Sequence, residues 1–556
     1  MPILVSARRY WETLRHLRSP QIWGRLAHRW HTPSAPPPLP APPRAQPGVW
    51  TLPARRKPSV TGQGRFVFLN TSGDLTKDGW DGPGQEKLWR YNQHYFDDLN
   101  AHDAPLRSAW HQDLIAAWIT QNQPTVGTGW ESYPTSLRIV NWIKWSLASG
   151  TAEEAFLDSL ATQARWLCRR LETHLLGNHL FVNAKALVFA GSYFTGEEAD
   201  AWRRVGSQLL RREIPEQVLS DGGQFERSPM YHALAFEDML DLYNLRRCFA
   251  TGGAEIPDFN LDVGREKLQK MWRWLHTMSH PDGDLALFND TAGGIAPSVD
   301  ELDGYARRLG LEQPLDIGTT HLADSGYVRL QNGNAIVLFD AAPVGPDYLP
   351  AHAHADTLSF ELSLAGLRVL VNSGTSLYAE GEERSRQRGT KAHNTVVINE
   401  LDSSEVWGSF RVARRAYPHN IQLSQQADMQ QVTASHDGYT RLPGRPVHRR
   451  SLTLRPHGCW VADCIEGPFQ RAQSRFHFHP SVRVSVDPDG SKGTCHLPDG
   501  QVLTWHAQGG SAQIEPSTWH PVFGVALPNQ CINLEWNGDQ CHLEIRWDNS
   551  TADPTP

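Results

Sequence analysis

The 556-residue chain is long enough for two to four domains, and its 40% hydrophobic and 20% charged content is that of a globular protein rather than a disordered one. A formal charge of −7 excludes nucleic acid as the main partner, so an acidic substrate would require a locally basic groove. The seven cysteines are odd in number and lack a CxxC pair, which excludes a zinc ribbon or disulfide framework and leaves buried free thiols as the expectation.

In chain order, residues 1–30 hold Tyr10, Leu14, Leu17, Ile22, Trp23, Leu26 and Trp30 among Arg and His. This pattern predicts a basic amphipathic helix or helix pair without the apolar core of a signal peptide. Such a helix docks on the protein's own body, on a membrane surface or on a partner. No apolar run of 18 residues occurs, so no membrane span is expected. A proline-rich spacer ends at Gly48 and separates this segment from the body. From Leu88 to Leu311 the apolar period is helical, as in Phe156, Leu160, Ala164 and Leu167, and many consecutive helices with short loops predict a bundle or toroid. Near Thr320 the period changes to two. "GYVRLQNGNAIVLFDAA", "RRSLTLRPHGCWVADCIEG" and "QCINLEWNGDQCHLEIRWD" read as short strands joined by Asn-Gly turns, predicting an antiparallel β-sandwich. The expected domains are therefore 1–48 (helix and linker), 49–318 (toroid) and 319–556 (sandwich).

No P-loop, G-x-S-x-G elbow or G-x-G-x-x-G stretch is present, which lowers the prior for NTPase, α/β-hydrolase and Rossmann chemistry. Four polar clusters remain. "GNHLFVNAKAL" brings together Asn178, His179, Asn183 and Lys185; "DGGQFERSPMYH" delivers Gln224, Glu226, Arg227 and Tyr231 to a helix start. "YLPAHAHADTLSFEL" places His352, His354 and Asp356 at every second position, which is one face if the stretch is a strand. "RSRQRGTKAHNTVV" runs Arg384, Arg386, Arg388 and Lys391 into His393 and Asn394, a pattern suited to facing an anion.

Taken in order with "RYNQHYFDDL" and "VNSGTSLY", these stretches resemble the heparinase II/III type of polysaccharide lyase over roughly residues 88–415. The resemblance implies an incomplete (α/α) toroid followed by antiparallel β-sandwich sheets, in agreement with the change of period. It also implies β-elimination on a uronic-acid-containing polysaccharide, glycosaminoglycan-like or bacterial exopolysaccharide. Asn178 is then the neutralising residue, Tyr231 and His352 the proton-transfer pair, and His179, Gln224, Glu226 and Arg388 substrate contacts.

The family's β-domain zinc falls on His354, Asn372 and His393. Because Asn372 stands where the family has Asp, and an amide is a weaker zinc ligand than a carboxylate, zinc is expected to bind only if Asp356 or water completes the shell; any metal is expected to be structural, and no cofactor is required for the reaction. The family implies the cell envelope or periplasm, while the missing signal peptide leaves the cytoplasm open. Two other readings stand beside this one: a non-catalytic polysaccharide-binding protein and a metal-dependent hydrolase using His352, His354 and Asp356.

Overall fold

The computed structural model describes residues 2–547 except 31–32, 38, 46–47, 151–152, 251–263 and 315–316. Two helices, Pro2–Leu14 and Ser19–Trp30, precede a small antiparallel sheet of strands Val60–Gly62, Arg65–Phe68 and Thr71–Asp74. That sheet, within the 49–318 stretch assigned to the toroid but before its helical period begins at Leu88, has Phe66 and Phe68 packed against Trp89. The helical body then runs from Lys87 to Arg308. Its core contains Trp118, Trp142, Leu187, Phe236 and Trp272, all fully buried.

Helices Gly177–Tyr193 and Glu197–Gln217 approach each other closely, and small residues make this possible. A Cβ on Gly191 would come within 2.4 Å of Ala199 O, and one on Gly206 within 2.6 Å of Ala184 O. This contact holds the first helix, which starts beside the functional residues, against the second.

The remainder is antiparallel β-structure, as its two-residue period dictates. A five-stranded sheet runs in sequence order from Thr320–Leu322 to Leu367–Leu370. It shares one core with an eight-stranded and a four-stranded sheet through Val337, Phe360, Leu452, Phe476 and Trp505. A further cluster of Trp274, Phe288, Tyr327 and Leu338 welds the helical body to the five-stranded sheet. All seven cysteines are free.

One expectation fails here. The stretch 348–359 is irregular, and a strand begins only at Phe360. His352, His354 and Asp356 thus lie on the long connection between strands Ala335–Asp340 and Phe360–Leu364, not on a strand face. Pro350 and the tertiary contacts made by this loop outweigh its alternating pattern.

Candidate active site

The helical wall of the site comes from two helix starts. Asn178 is the second residue of its helix, behind Leu176, whose φ of 63° turns the chain sharply into the helix. His179 follows, its ring 4.4 Å from that of Tyr133, and its Nδ1–H donates to Glu172 Oε1 at 3.1 Å. Burial disfavours the imidazolium, but the Glu172 carboxylate outweighs it and raises the His179 pKa. Asn183, buried one turn on, donates to Glu172 Oε2 at 3.0 Å and so fixes that carboxylate. Tyr231 occupies the first turn of the Pro229–Ala250 helix and shares a 3.3 Å hydrogen bond with the Tyr378 hydroxyl. Burial, reinforced by Tyr378, holds its phenol well above the ordinary value.

The opposite wall is the 348–359 connection. The His352 ring lies 3.9 Å from the Tyr231 ring, so residues 121 positions apart meet beside the cleft that Asn178 and Tyr231 line. His352 Nδ1–H donates to Asp290 Oδ2 at 3.0 Å, which leaves the ring a lone pair on Nε2. Glu226 Oε2 stands 3.6 Å from that Nε2, and Gln224 Nε2 donates to Glu226 Oε1 at 3.2 Å.

Asp290 organises this wall and was not singled out by its sequence context, "LFNDTAGG". Fully buried, it accepts from His352 on one oxygen and from His354 Nε2–H on the other at 2.9 Å. The Arg384 guanidinium grips both of its oxygens, with Nη2 2.7 Å from Oδ2. Burial works against the charge, yet Arg384 and the two imidazoles hold the Asp290 pKa well below the carboxylate range. The backbone completes the clasp: Asp290 N donates to His352 O at 2.9 Å, and Asn289 Oδ1 accepts from His354 N at 3.0 Å.

The cationic run does not face an anion site. Arg388 is fully buried at the end of the Glu382–Arg388 helix, where its guanidinium donates to Ala353 O, Gly408 O and Arg411 O. It therefore secures the His352 loop from behind, correcting the expectation of a substrate contact. Arg384 is held by Asp290, Arg386 by Glu383 and Lys391 by Glu400. The same pairing holds at the cleft floor, where Lys144 and Lys185 bind Asp241, Lys185 also binds Asp238, and Arg56 binds Glu237.

Beneath this wall, His354, Asp356 and His393 bring one ligand atom each to within 4.8 Å of one another, all three buried. His354 donates through Nε2, so its unpartnered Nδ1 keeps a lone pair; His393 donates from Nδ1 to Asn372 Oδ1 at 3.3 Å, so its unpartnered Nε2 does the same. Burial lowers the pKa of both imidazoles, keeping them neutral. Two imidazole lone pairs and a carboxylate form a donor set suited to zinc. Asn372 stands behind His393, and Asp356 fills the position in the cluster that had been assigned to Asn372.

Residues 100–301 match the family described as heparinase II/III N-terminus, and residues 317–548 match heparinase II/III-like, C-terminal. A heparin-sulfate lyase of Bacteroides stercoris is 30% identical over 41% of this chain and 37% of its own length. The chain thus spans about two fifths of that relative. FtsZ-localized protein C of Caulobacter vibrioides is 25% identical over 72% of this chain and 70% of its own. Among solved structures, a heparinase III superposes with a TM-score of 0.69 at 18% identity, covering 86% of this chain and 81% of that one, a likeness of fold.

Proposed function

Because the chain belongs to the heparinase II/III family, whose two domains it carries in order, we propose that it cleaves a uronic-acid-containing polysaccharide by β-elimination. The observation that carries this reading is the contact of Tyr231 with His352 across the cleft that Asn178 lines. β-Elimination needs a base for the C5 proton, an acid for the departing glycosidic oxygen, and a donor that strengthens its hold on the carboxylate as enolate character develops. His352 Nε2 takes the C5 proton, its ring held by Asp290 at Nδ1. Tyr231, kept protonated by burial, gives its proton to the leaving oxygen. Asn178, with His179 beside it, binds the carboxylate.

The paired cations of the cleft favour a polymer bearing one carboxylate per reacting sugar over a densely sulfated chain. Incubation with glycosaminoglycans, alginate and acidic bacterial exopolysaccharides distinguishes the readings. New reducing ends with ultraviolet absorbance of an unsaturated uronate mark a lyase. Reducing ends without absorbance mark a hydrolase, and binding without either marks a binding protein.

Asn178→Ala is expected to cost turnover about 10²–10³, as does removal of one oxyanion donor, with a smaller effect on KM. Steady-state kinetics check this; a rise in KM at unchanged kcat would make Asn178 a ground-state contact only.

His354, Asp356 and His393 would hold a zinc ion, which when bound would tie the His352 loop to the segment before strand Val396–Ile398. A chelator is then expected to lower Tm before it lowers the initial rate. Asn372→Asp should tighten metal retention, because a carboxylate behind His393 Nδ1–H makes Nε2 a better donor. Immediate loss of rate on chelation at unchanged Tm, restored by zinc, would favour metal-dependent hydrolysis.

A further inference from the structure

The two N-terminal helices are tied to the body by ring contacts, Tyr10 edge-on to Trp407 with centroids 4.9 Å apart and His28 against His174 at 4.3 Å, and by polar contacts. Thr13 Oγ1 accepts from Trp407 Nε1 at 3.2 Å, and Gln21 Nε2 donates to Tyr348 O at 3.0 Å. The Arg18 guanidinium lies 3.6 Å over the Tyr348 ring and pairs with Glu216. Gly24 permits close seating, since a Cβ there would come within 2.8 Å of His174 Cβ.

What these contacts leave outside is the apolar stripe. Ala7, Trp11 and Leu14 share one face of the first helix, and Trp23, Ala27 and Trp30 one face of the second, each at i, i+4, i+7. All six are exposed, with Trp11 at 65%, Trp23 at 70% and Trp30 at 77% of full exposure. A helix that serves only to pack on its own protein turns such a stripe inward; here it faces solvent. The charge around it is equally one-sided. Residues 1–30 contain six Arg and one Glu, a net +5, while the whole chain carries −7. Arg8, Arg25 and Arg29 are exposed on these helices.

We propose that the helix pair Pro2–Trp30 is a docking surface for an anionic lipid bilayer. The indoles enter the headgroup region, where a flat amphipathic ring has one apolar and one wet environment, and the guanidinium groups pair with lipid phosphates. No helix among the described residues is long and apolar enough to cross a membrane, so the pair lies in the interface plane. The acidic remainder of the chain is repelled by the same surface, which leaves these helices as the side that makes contact.

The test uses the full-length protein and flotation with vesicles of phosphatidylcholine alone or with phosphatidylglycerol. The expected result is flotation with the anionic vesicles, weakened by salt, and none with the neutral ones. Trp11→Ala/Trp23→Ala/Trp30→Ala and, separately, Arg8→Glu/Arg25→Glu/Arg29→Glu should each weaken it about tenfold or more, with Tm and cleavage of soluble polysaccharide unchanged. If the tryptophan variant fails to fold, the arginine variant decides. Failure to float with anionic vesicles, or equal flotation of the folded variants, overturns the proposal. Concentration-dependent dimerisation abolished by the tryptophan variant, without flotation, also overturns it and assigns the face to a second copy of the chain.

Discussion

His352→Ala and Tyr231→Phe are each expected to reduce turnover by about 10²–10⁴, the usual cost of losing a general base or acid, while the melting curve stays near that of the parent. Tyr231→Phe removes a single hydroxyl, and the His352 side chain keeps 11% of its exposure, so each substitution takes away a proton-transfer group and little core volume. The Tyr231→Phe variant keeps the ring that packs 3.9 Å from His352 and loses only the hydroxyl bonded to Tyr378. Initial rates by ultraviolet absorbance on the substrate found in the polysaccharide panel, paired with thermal melts, give the readout. A near-normal rate in either folded variant would remove that residue from the mechanism.

Asp290→Ala should produce the largest loss of stability. Removing one partner of a buried pair leaves an uncompensated charge, here the fully buried Arg384, at a cost of about 3–5 kcal/mol. Two imidazoles would lose their acceptor at the same time. The pH dependence follows from the depressed folded-state pKa: the Asp290 contribution is complete above its ordinary value of 3.8 and disappears as pH falls through the lower folded value. The Ala variant should therefore show a shallower acid limb in a plot of Tm against pH. Asp290→Asn keeps the shape and separates structure from chemistry. It should lower kcat/KM about 10–100-fold, because the amide can orient His352 but does not stabilise the imidazolium it becomes on taking the C5 proton. An unchanged kcat/KM in a folded Asn variant would limit Asp290 to a structural role.

Sequence patterns alone carried the architecture: a helical period to Leu311, a period of two from Thr320, and the Asn, Gly and Pro punctuation between elements. These are local signals, set by which face of a helix or strand must leave water, and they survive without knowledge of partners. The clusters holding Asn178, Tyr231 and His352 were visible as polar runs, and the structure brings Tyr231 and His352 together beside the cleft that Asn178 lines, but the roles given to them came from the family resemblance and not from the runs themselves. The roles of the charged residues around them were not legible. Arg388 read as an anion contact and is a buried brace for Ala353 O; the His352 stretch read as a strand and is a loop. Asp290 lay unmarked in a turn 62 residues before the histidine it orients, and Asp356 rather than Asn372 closes the imidazole cluster. Each of these depends on which oxygen or nitrogen a distant loop presents in a desolvated interior. There a charge settles where a partner repays its dehydration, and no spacing along the chain encodes that partner.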